Sequence, residues 1–334
     1  MECVYPLCAG TFWFYKRFTE LYQQSLHLLY KISIALISCK YINSLFNKCL
    51  WKGISMKKLF VGFMCVCVMM LGMLAAGCGN NSSKGGSGMQ GAVSTNGSTS
   101  MEKVIGILSE AFMEDNPGVT ITYDASGSGT GIEAVSKGNT DIGLASRALK
   151  KSEKEKGLVE KTVAFDGIAL IVNEKAPLND LTTAQVAGLF TGDISDWSAI
   201  GGKAGAVAAI GREAGSGTRD GFESITKTKD KCKLAQELTS TGAVIEAVKN
   251  SEAAIGYASY ASVVNQPGIK ILKINGVACS NENIANGSYV IQRPFNLITK
   301  EGQQLSEAAQ AFYNFMISEA AHELILRVGA VPVK

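Results

Sequence analysis

The sequence predicts an α/β fold with mostly parallel sheets. Three observations carry this. Short apolar, β-rich runs alternate with amphipathic helical stretches. Glycine- and hydroxyl-rich segments sit where a strand gives way to a helix. The roughly 240 residues that follow a leader-like front are enough for two domains.

In chain order, Met101 to Asn116 reads as a helix with Val104, Ile105, Leu108, Ala111 and Phe112 on one stripe, stopped by Pro117-Gly118. Val119 to Tyr123 is a short strand and Gly131 to Lys137 a short helix ended by Gly138-Asn139. Asp141 to Ala145 is a strand that ends at Ser146-Arg147. Ser152 to Lys156 is a charged run with a solvated face. Thr162 to Phe165 and Ile168 to Val172 are buried-type strands. Thr182 to Phe190 is a helix and Val207 to Gly211 a strand. Arg219 to Ile225, Ser240 to Asn250 and Leu305 to Ile317 are further helices.

The front of the chain stands apart. Met56-Lys57-Lys58, an apolar run from Leu59 to Ala76 and Gly77-Cys78 have the order of a signal peptide at 56–77. The run just reaches spanning length, but small residues and a lone cysteine end it. Residues 78–91 read as a flexible tether. Residues 1–55 carry four cysteines and only Glu2 and Glu20 as acids, and read as a misassigned segment upstream of Met56. The globular part is therefore expected outside the cytoplasm.

Charge and cysteine usage narrow the function. The whole chain has a formal net charge of +3, but residues 79–334 hold 24 basic and 27 acidic side chains, 24 − 27 = −3. That leaves no basic footprint for nucleic acid. Beyond Cys78 only Cys232 and Cys279 remain, too few for a disulfide scaffold; a bridge between the two is open to an exported protein, but their spacing has no recognisable pattern and free thiols are the favoured expectation. His322 is the only histidine after the signal, so no Ser-His-Asp set can be assembled, and no spacing suits a metal. The chain is not expected to be an enzyme or to need a cofactor.

Three segments carry the chemistry: Gly97-Ser98-Thr99-Ser100, Ser126 to Gly131 and Arg212 to Thr218. Each places hydroxyls at the first turn of a helix, where free N–H groups and a partial positive charge favour anions. With Arg147 and Arg212, whose planar guanidinium groups fork onto two oxygens, they describe a cage for a small oxyanion. Gly127 to Gly131 has no third glycine at the offset of a dinucleotide fingerprint, and Asp141 follows Gly131 by only ten residues. Thr218 as a plain helix cap is compatible with anion binding, because both use the same N–H groups.

These residues resemble a known family. Gly97 to Met101, Ala125 to Ile132, Asp141 to Arg147, Phe165 to Ala169, Arg212 to Thr218, Ala254 to Tyr257 and Arg293-Pro294 are similar to the phosphate-binding lipoproteins of the bacterial phosphate ABC importer. The resemblance spans residues 92–334. It implies a two-lobed periplasmic-binding-protein fold, lobe I being 92–170 plus 291–334 and lobe II 171–290, with crossover strands near Gly167–Val172 and Tyr289–Ile298. It implies inorganic phosphate as ligand, permease subunits as partners, and attachment to the outer face of the cell membrane through lipid on Cys78. The site would comprise Thr99 or Ser100, the Met101 amide, Ser128, Arg212, Ser216, Gly217 and Thr218. Well-known members carry an aspartate where this chain has Arg147, and that aspartate accepts the ligand's proton. Arg147 cannot accept, so Asp166, at a strand end beside the expected hinge, is the candidate acceptor, ahead of Asp141. A receptor for sulfate, molybdate or tungstate, or a phosphatase-like enzyme, are the alternatives.

Overall fold

The computed structural model describes residues 88–333. The expected upstream segment, the signal at 56–77, Cys78 and most of the tether lie outside the described residues. The tether is shorter than expected at its far end, because Gln90 and Gly91 already pair with Gly118 and Val119 of a neighbouring strand.

The first half runs β1 (Gln90–Gly97), a 3-10 turn (Thr99–Met101), α1 (Glu102–Asp115), β2 (Gly118–Asp124), α2 (Ser128–Ser136), β3 (Ile142–Ala145), α3 (Lys151–Lys154) and β4 (Leu158–Asn173). Next come β5 (Asp180–Leu181), α4 (Thr183–Thr191), a 3-10 turn (Trp197–Ile200), β6 (Ala208–Arg212), α5 (Gly217–Thr226), β7 (Gln236–Leu238), α6 (Thr241–Lys249) and β8 (Ala254–Ser259). The chain ends with α7 (Tyr260–Val263), β9 (Ile269–Ile271), β10 (Lys273–Ile274), α8 (Asn281–Ala285), β11 (Gln292–Lys300), α9 (Glu307–Met316), α10 (Ala320–Arg327) and β12 (Val331–Pro332).

Local chemistry accounts for these boundaries. In α1 the buried stripe is Val104, Ile105, Leu108 and Phe112, and the Asn116 N–H closes the last turn on Phe112 O before Pro117 halts the helix. Thr182 opens α4 with a reciprocal Thr182–Gln185 capping box, and Gly192 closes it at φ +80°.

The main sheet has the order β2-β1-β3-β11-β4-β8-β6-β7. Its flanks are parallel: β1 pairs with β2 and β3, and β6 with β7 and β8. Its centre is antiparallel, because β4 and β11 cross in opposite directions. The two expected runs around 162–172 form one strand of 16 residues, β4. Up to Gly167 it pairs with β11, and from Ile168 it pairs with β8. Gly167 is required at that changeover: a Cβ there would lie 2.5 Å from Cys279 Sγ. The returning segment is tied to it, as Ile168 N–H donates to Ile291 O at 2.7 Å and the Tyr289 hydroxyl to Ile168 O at 3.0 Å.

The apolar interior is divided accordingly. One cluster includes Val104, Leu108, Leu144, Phe295, Phe312 and Ile325. The other includes Ile168 to Val172, Phe190, Phe222, Ile255, Tyr257 and Tyr289. These are the cores of two lobes, joined by β4 and the segment leading into β11. Cys232 and Cys279 are both free thiols.

Candidate functional site

Four helix starts meet between the lobes, two from each. In the first lobe β1 stops at Gly97, where a Cβ would sit 2.1 Å from Leu144 O, so only glycine brings β1 this close to β3. Ser98 then caps the 3-10 turn, its Oγ accepting from Ser100 N–H at 3.3 Å. The second start follows Gly127, at φ +99°, and opens α2 with Ser128. In the second lobe Ser216 caps α5, its Oγ accepting from Arg219 N–H, and Ser240 caps α6, its Oγ accepting from Ala243 N–H.

The hydroxyls at these starts bridge the lobes. Ser100 Oγ pairs with Thr218 Oγ1 at 2.8 Å and with Thr241 Oγ1 at 3.1 Å. Thr99 Oγ1 pairs with Thr241 Oγ1 at 3.0 Å and accepts from the Thr241 amide. Ser146 Oγ lies 2.8 Å from Ser98 Oγ and 3.2 Å from Ser128 Oγ. The Gly129 amide donates to Gly215 O at 3.0 Å. Ser100, Ser128, Ser146, Ser216 and Thr218 are all buried. Gly217 packs so tightly that a Cβ would lie 2.5 Å from Ser128 Oγ and 2.7 Å from Ser146 Oγ.

Two guanidinium groups border this cluster. Arg212 Nη1 donates to Thr241 Oγ1 at 3.2 Å, while Nε and Nη2 donate to the Glu213 carboxylate at 3.0 and 2.9 Å. Arg293 Nη1 donates to Thr218 Oγ1 at 2.7 Å and its Nη2 to Asp166 Oδ2 at 3.1 Å. Burial pushes the Asp166 carboxyl up, against the opposing pull of Arg293, the Ala261 amide and the Ser259 hydroxyl.

Thr99, Ser100, Ser128, Arg212, Ser216, Gly217 and Thr218 are therefore brought together as the sequence suggested. Three expected members are not in the cluster. The Met101 N–H closes its own turn on Ser98 O at 3.0 Å, and the Met101 side chain is part of the first lobe's core. Asp166 lies behind Arg293, with Oδ1 taken by Ser259 and the Ala261 amide and Oδ2 by Arg293. Arg147 turns away altogether, its two Nη atoms on Glu153 at 2.7 and 2.8 Å and its Nε 3.0 Å from Asp220 Oδ2. Asp141, the less favoured acceptor, is elsewhere, bonded to the Ser94 amide and hydroxyl.

Sequence reasoning missed the place of Ser146 and Thr241 in the cluster and of Arg293 beside it. The run Thr239-Ser240-Thr241-Gly242 after β7 repeats the hydroxyl pattern of Gly97 to Ser100 and was the available signal. Arg293 is placed only by the register that sets it opposite Asp166 across β11 and β4.

The sequence profile of the PBP superfamily domain matches residues 82–320. The phosphate-binding protein PstS of Bacillus subtilis is 31% identical over 275 residues, covering 78% of this chain and 90% of that protein. A Clostridium perfringens substrate-binding protein assigned to phosphate ABC transport and solved with bound phosphate is 35% identical, with a TM-score of 0.70 over 73% of this chain and all of the other. An ABC-type phosphate transport receptor from Vibrio cholerae is 31% identical, with a TM-score of 0.60 over 72% of this chain and 99% of that one.

Proposed function

This chain belongs to the PBP superfamily, and we propose that it captures inorganic phosphate between its lobes and delivers it to the membrane subunits of an ABC importer. The observation that carries the reading is the meeting of four helix starts, two from each lobe, beside Arg212 and Arg293, three of them capped by Ser98, Ser216 and Ser240 and the fourth opening with Ser128 after Gly127. Such a site replaces the water shell of an oxyanion with fixed donors and needs no net positive field from the protein. The proposed ligand groups are Thr99, Ser100, Ser128, Ser146, Arg212, Gly217, Thr218 and Thr241, with Arg293 behind Thr218.

Because half of the donors belong to each lobe, the full set exists only when the lobes close, so the anion shifts the population toward closure. Lobe I is proposed as 92–170 plus 291–334 and lobe II as 171–290, hinged at Gly167–Ile168 and Tyr289–Gln292. The signal at 56–77 would direct export and be removed, and lipid on Cys78 would hold the protein at the outer face of the cell membrane. A receptor is favoured over an enzyme because, among the described residues, the one histidine is away from the hydroxyls: His322 lines a separate cavity with Lys161, Met316 and Glu319.

One observation favours a broader oxyanion receptor. The carboxylates bordering the cage are engaged by guanidinium groups, Asp166 by Arg293 and Glu213 by Arg212. Discrimination of phosphate from sulfate then falls to hydroxyls, which accept as well as donate. Titration calorimetry on protein stripped of bound anion tests both readings, with phosphate, sulfate and molybdate on either side of phosphate's second ionisation. Tight phosphate binding with sulfate silent is expected. Equal sulfate affinity would replace phosphate with tetrahedral oxyanions generally, and no anion binding would refute the receptor reading.

A further inference from the structure

We propose that Arg147 and Asp220 form an ionic latch between the lobes that holds the closed state and slows release of the bound anion. The proposal rests on the phosphate-receptor reading above. Arg147 follows β3 in the first lobe, and Asp220 lies in the first turn of α5 in the second. Their groups stand 3.0 Å apart, Nε to Oδ2, and Lys150 Nζ approaches the same oxygen at 3.2 Å.

The first lobe presents this cation ready-made. Glu153 holds both Nη atoms of Arg147, and Nη1 also donates to Ala148 O at 2.9 Å. Asn296 Nδ2 donates to Arg147 O at 3.0 Å, and Arg293 Nη1 reaches Ser146 O at 3.3 Å, which fixes the backbone beneath it. Nε is left without a hydrogen-bond partner, and it lies within ion-pair distance of Asp220 Oδ2 across the gap, a contact of charge rather than an aligned hydrogen bond. Closing the lobes therefore adds the Asp220 contact with little side-chain ordering still to be done. Nothing in the first lobe needs Asp220, since Arg147 is already neutralised by Glu153.

The pair is reachable by salt. The Arg147 side chain is 8% exposed and that of Asp220 32%. A surface cavity of about 400 Å³, bounded by Arg147, Lys150, Asp220 and Arg293 among others, opens onto it. An ion pair of this exposure is worth a factor of about five in an equilibrium. Because it exists only between closed lobes, that factor appears in the release rate and hardly in association. A competing role for Asp220, as an acid favoured by the α5 N-terminus, would alter stability slightly and leave release untouched.

The test uses the full chain in detergent, with inorganic phosphate as probe. Stopped-flow release is measured at low and high salt for the parent, Asp220→Asn and Asp220→Glu. Asp220→Asn is expected to release phosphate about fivefold faster at low salt, with association within about twofold of the parent. Added salt should speed release from the parent and from Asp220→Glu, but not from Asp220→Asn. Release from Asp220→Asn at the parent's rate and salt dependence would overturn the latch. If the parent binds no phosphate, amide hydrogen exchange at 97–101 and 216–218 decides instead. Faster exchange in Asp220→Asn would keep the latch and discard the phosphate reading, and equal exchange would discard the latch.

Discussion

Gly217→Ala separates folding from closure by a single methyl group. Gly217 opens α5 with ordinary helical backbone, so alanine fits the local conformation. Within α5 the change is neutral or stabilising, by up to about 1 kcal/mol. Across the gap it is not tolerated. The new Cβ would lie 2.5 Å from Ser128 Oγ, 2.7 Å from Ser146 Oγ and 3.1 Å from Ser128 Cβ. That is about 1 Å inside ordinary contact. Ser128 and Ser146 are buried and mutually hydrogen-bonded, so neither can step aside freely. Relief comes from holding the lobes apart, which separates the donor sets. Overpacking of this kind costs about 1–3 kcal/mol, a five- to 150-fold weaker phosphate Kd at about 1.4 kcal/mol per decade. Calorimetry for Kd and thermal unfolding for Tm are read on the same preparation. Weaker binding with an unchanged or higher Tm is expected. An unchanged Kd would refute the closure argument, and a fall in Tm matching the loss of binding would make Gly217 a folding residue.

Three further outcomes follow from the buried charges and thiols. Asp166→Asn leaves Arg293 charged, buried and without its carboxylate, so stability should fall by about 3–5 kcal/mol and Tm by roughly 6–20 °C; a drop of less than about 3 °C would show that the pair is not what holds the crossing strands. Burial alone would raise the Glu153 carboxyl, but Arg147 and the Lys150 amide hold it below its ordinary value. Its contribution is thus present above the ordinary carboxylate range and lost as pH falls through the folded pKa. Glu153→Gln should be less stable than the parent near neutrality and converge with it in acid, and parallel stability curves over that range would sink the assignment. Burial pushes the Cys279 thiol well up, so iodoacetamide should leave it unmodified until the protein is unfolded. Rapid labelling of the native protein there would contradict its place against Gly167.

What the sequence made legible is what neighbours within a few residues decide. Gly97-Ser98-Thr99-Ser100 and Gly215-Ser216-Gly217-Thr218 announce a strand that must turn and a helix that must be capped, and the structure sets both at the cleft. The antiparallel centre of the sheet was not legible, because residues 162–172 give the same apolar pattern in either direction. The cations were the hardest to read. An arginine advertises its charge but not its direction, which depends on the carboxylates within reach. Arg147 has two, Glu153 in a run that reads as solvent-facing and Asp220 in the other lobe, and together they draw it out of the cage. Arg212 has one, Glu213, which takes Nε and Nη2 and leaves Nη1 toward Thr241. Arg293 likewise has one, Asp166, on Nη2, leaving Nη1 toward Thr218. In this cleft an arginine faces the hydroxyl cluster when a single carboxylate anchors it, and a second carboxylate turns the same side chain away into a strut.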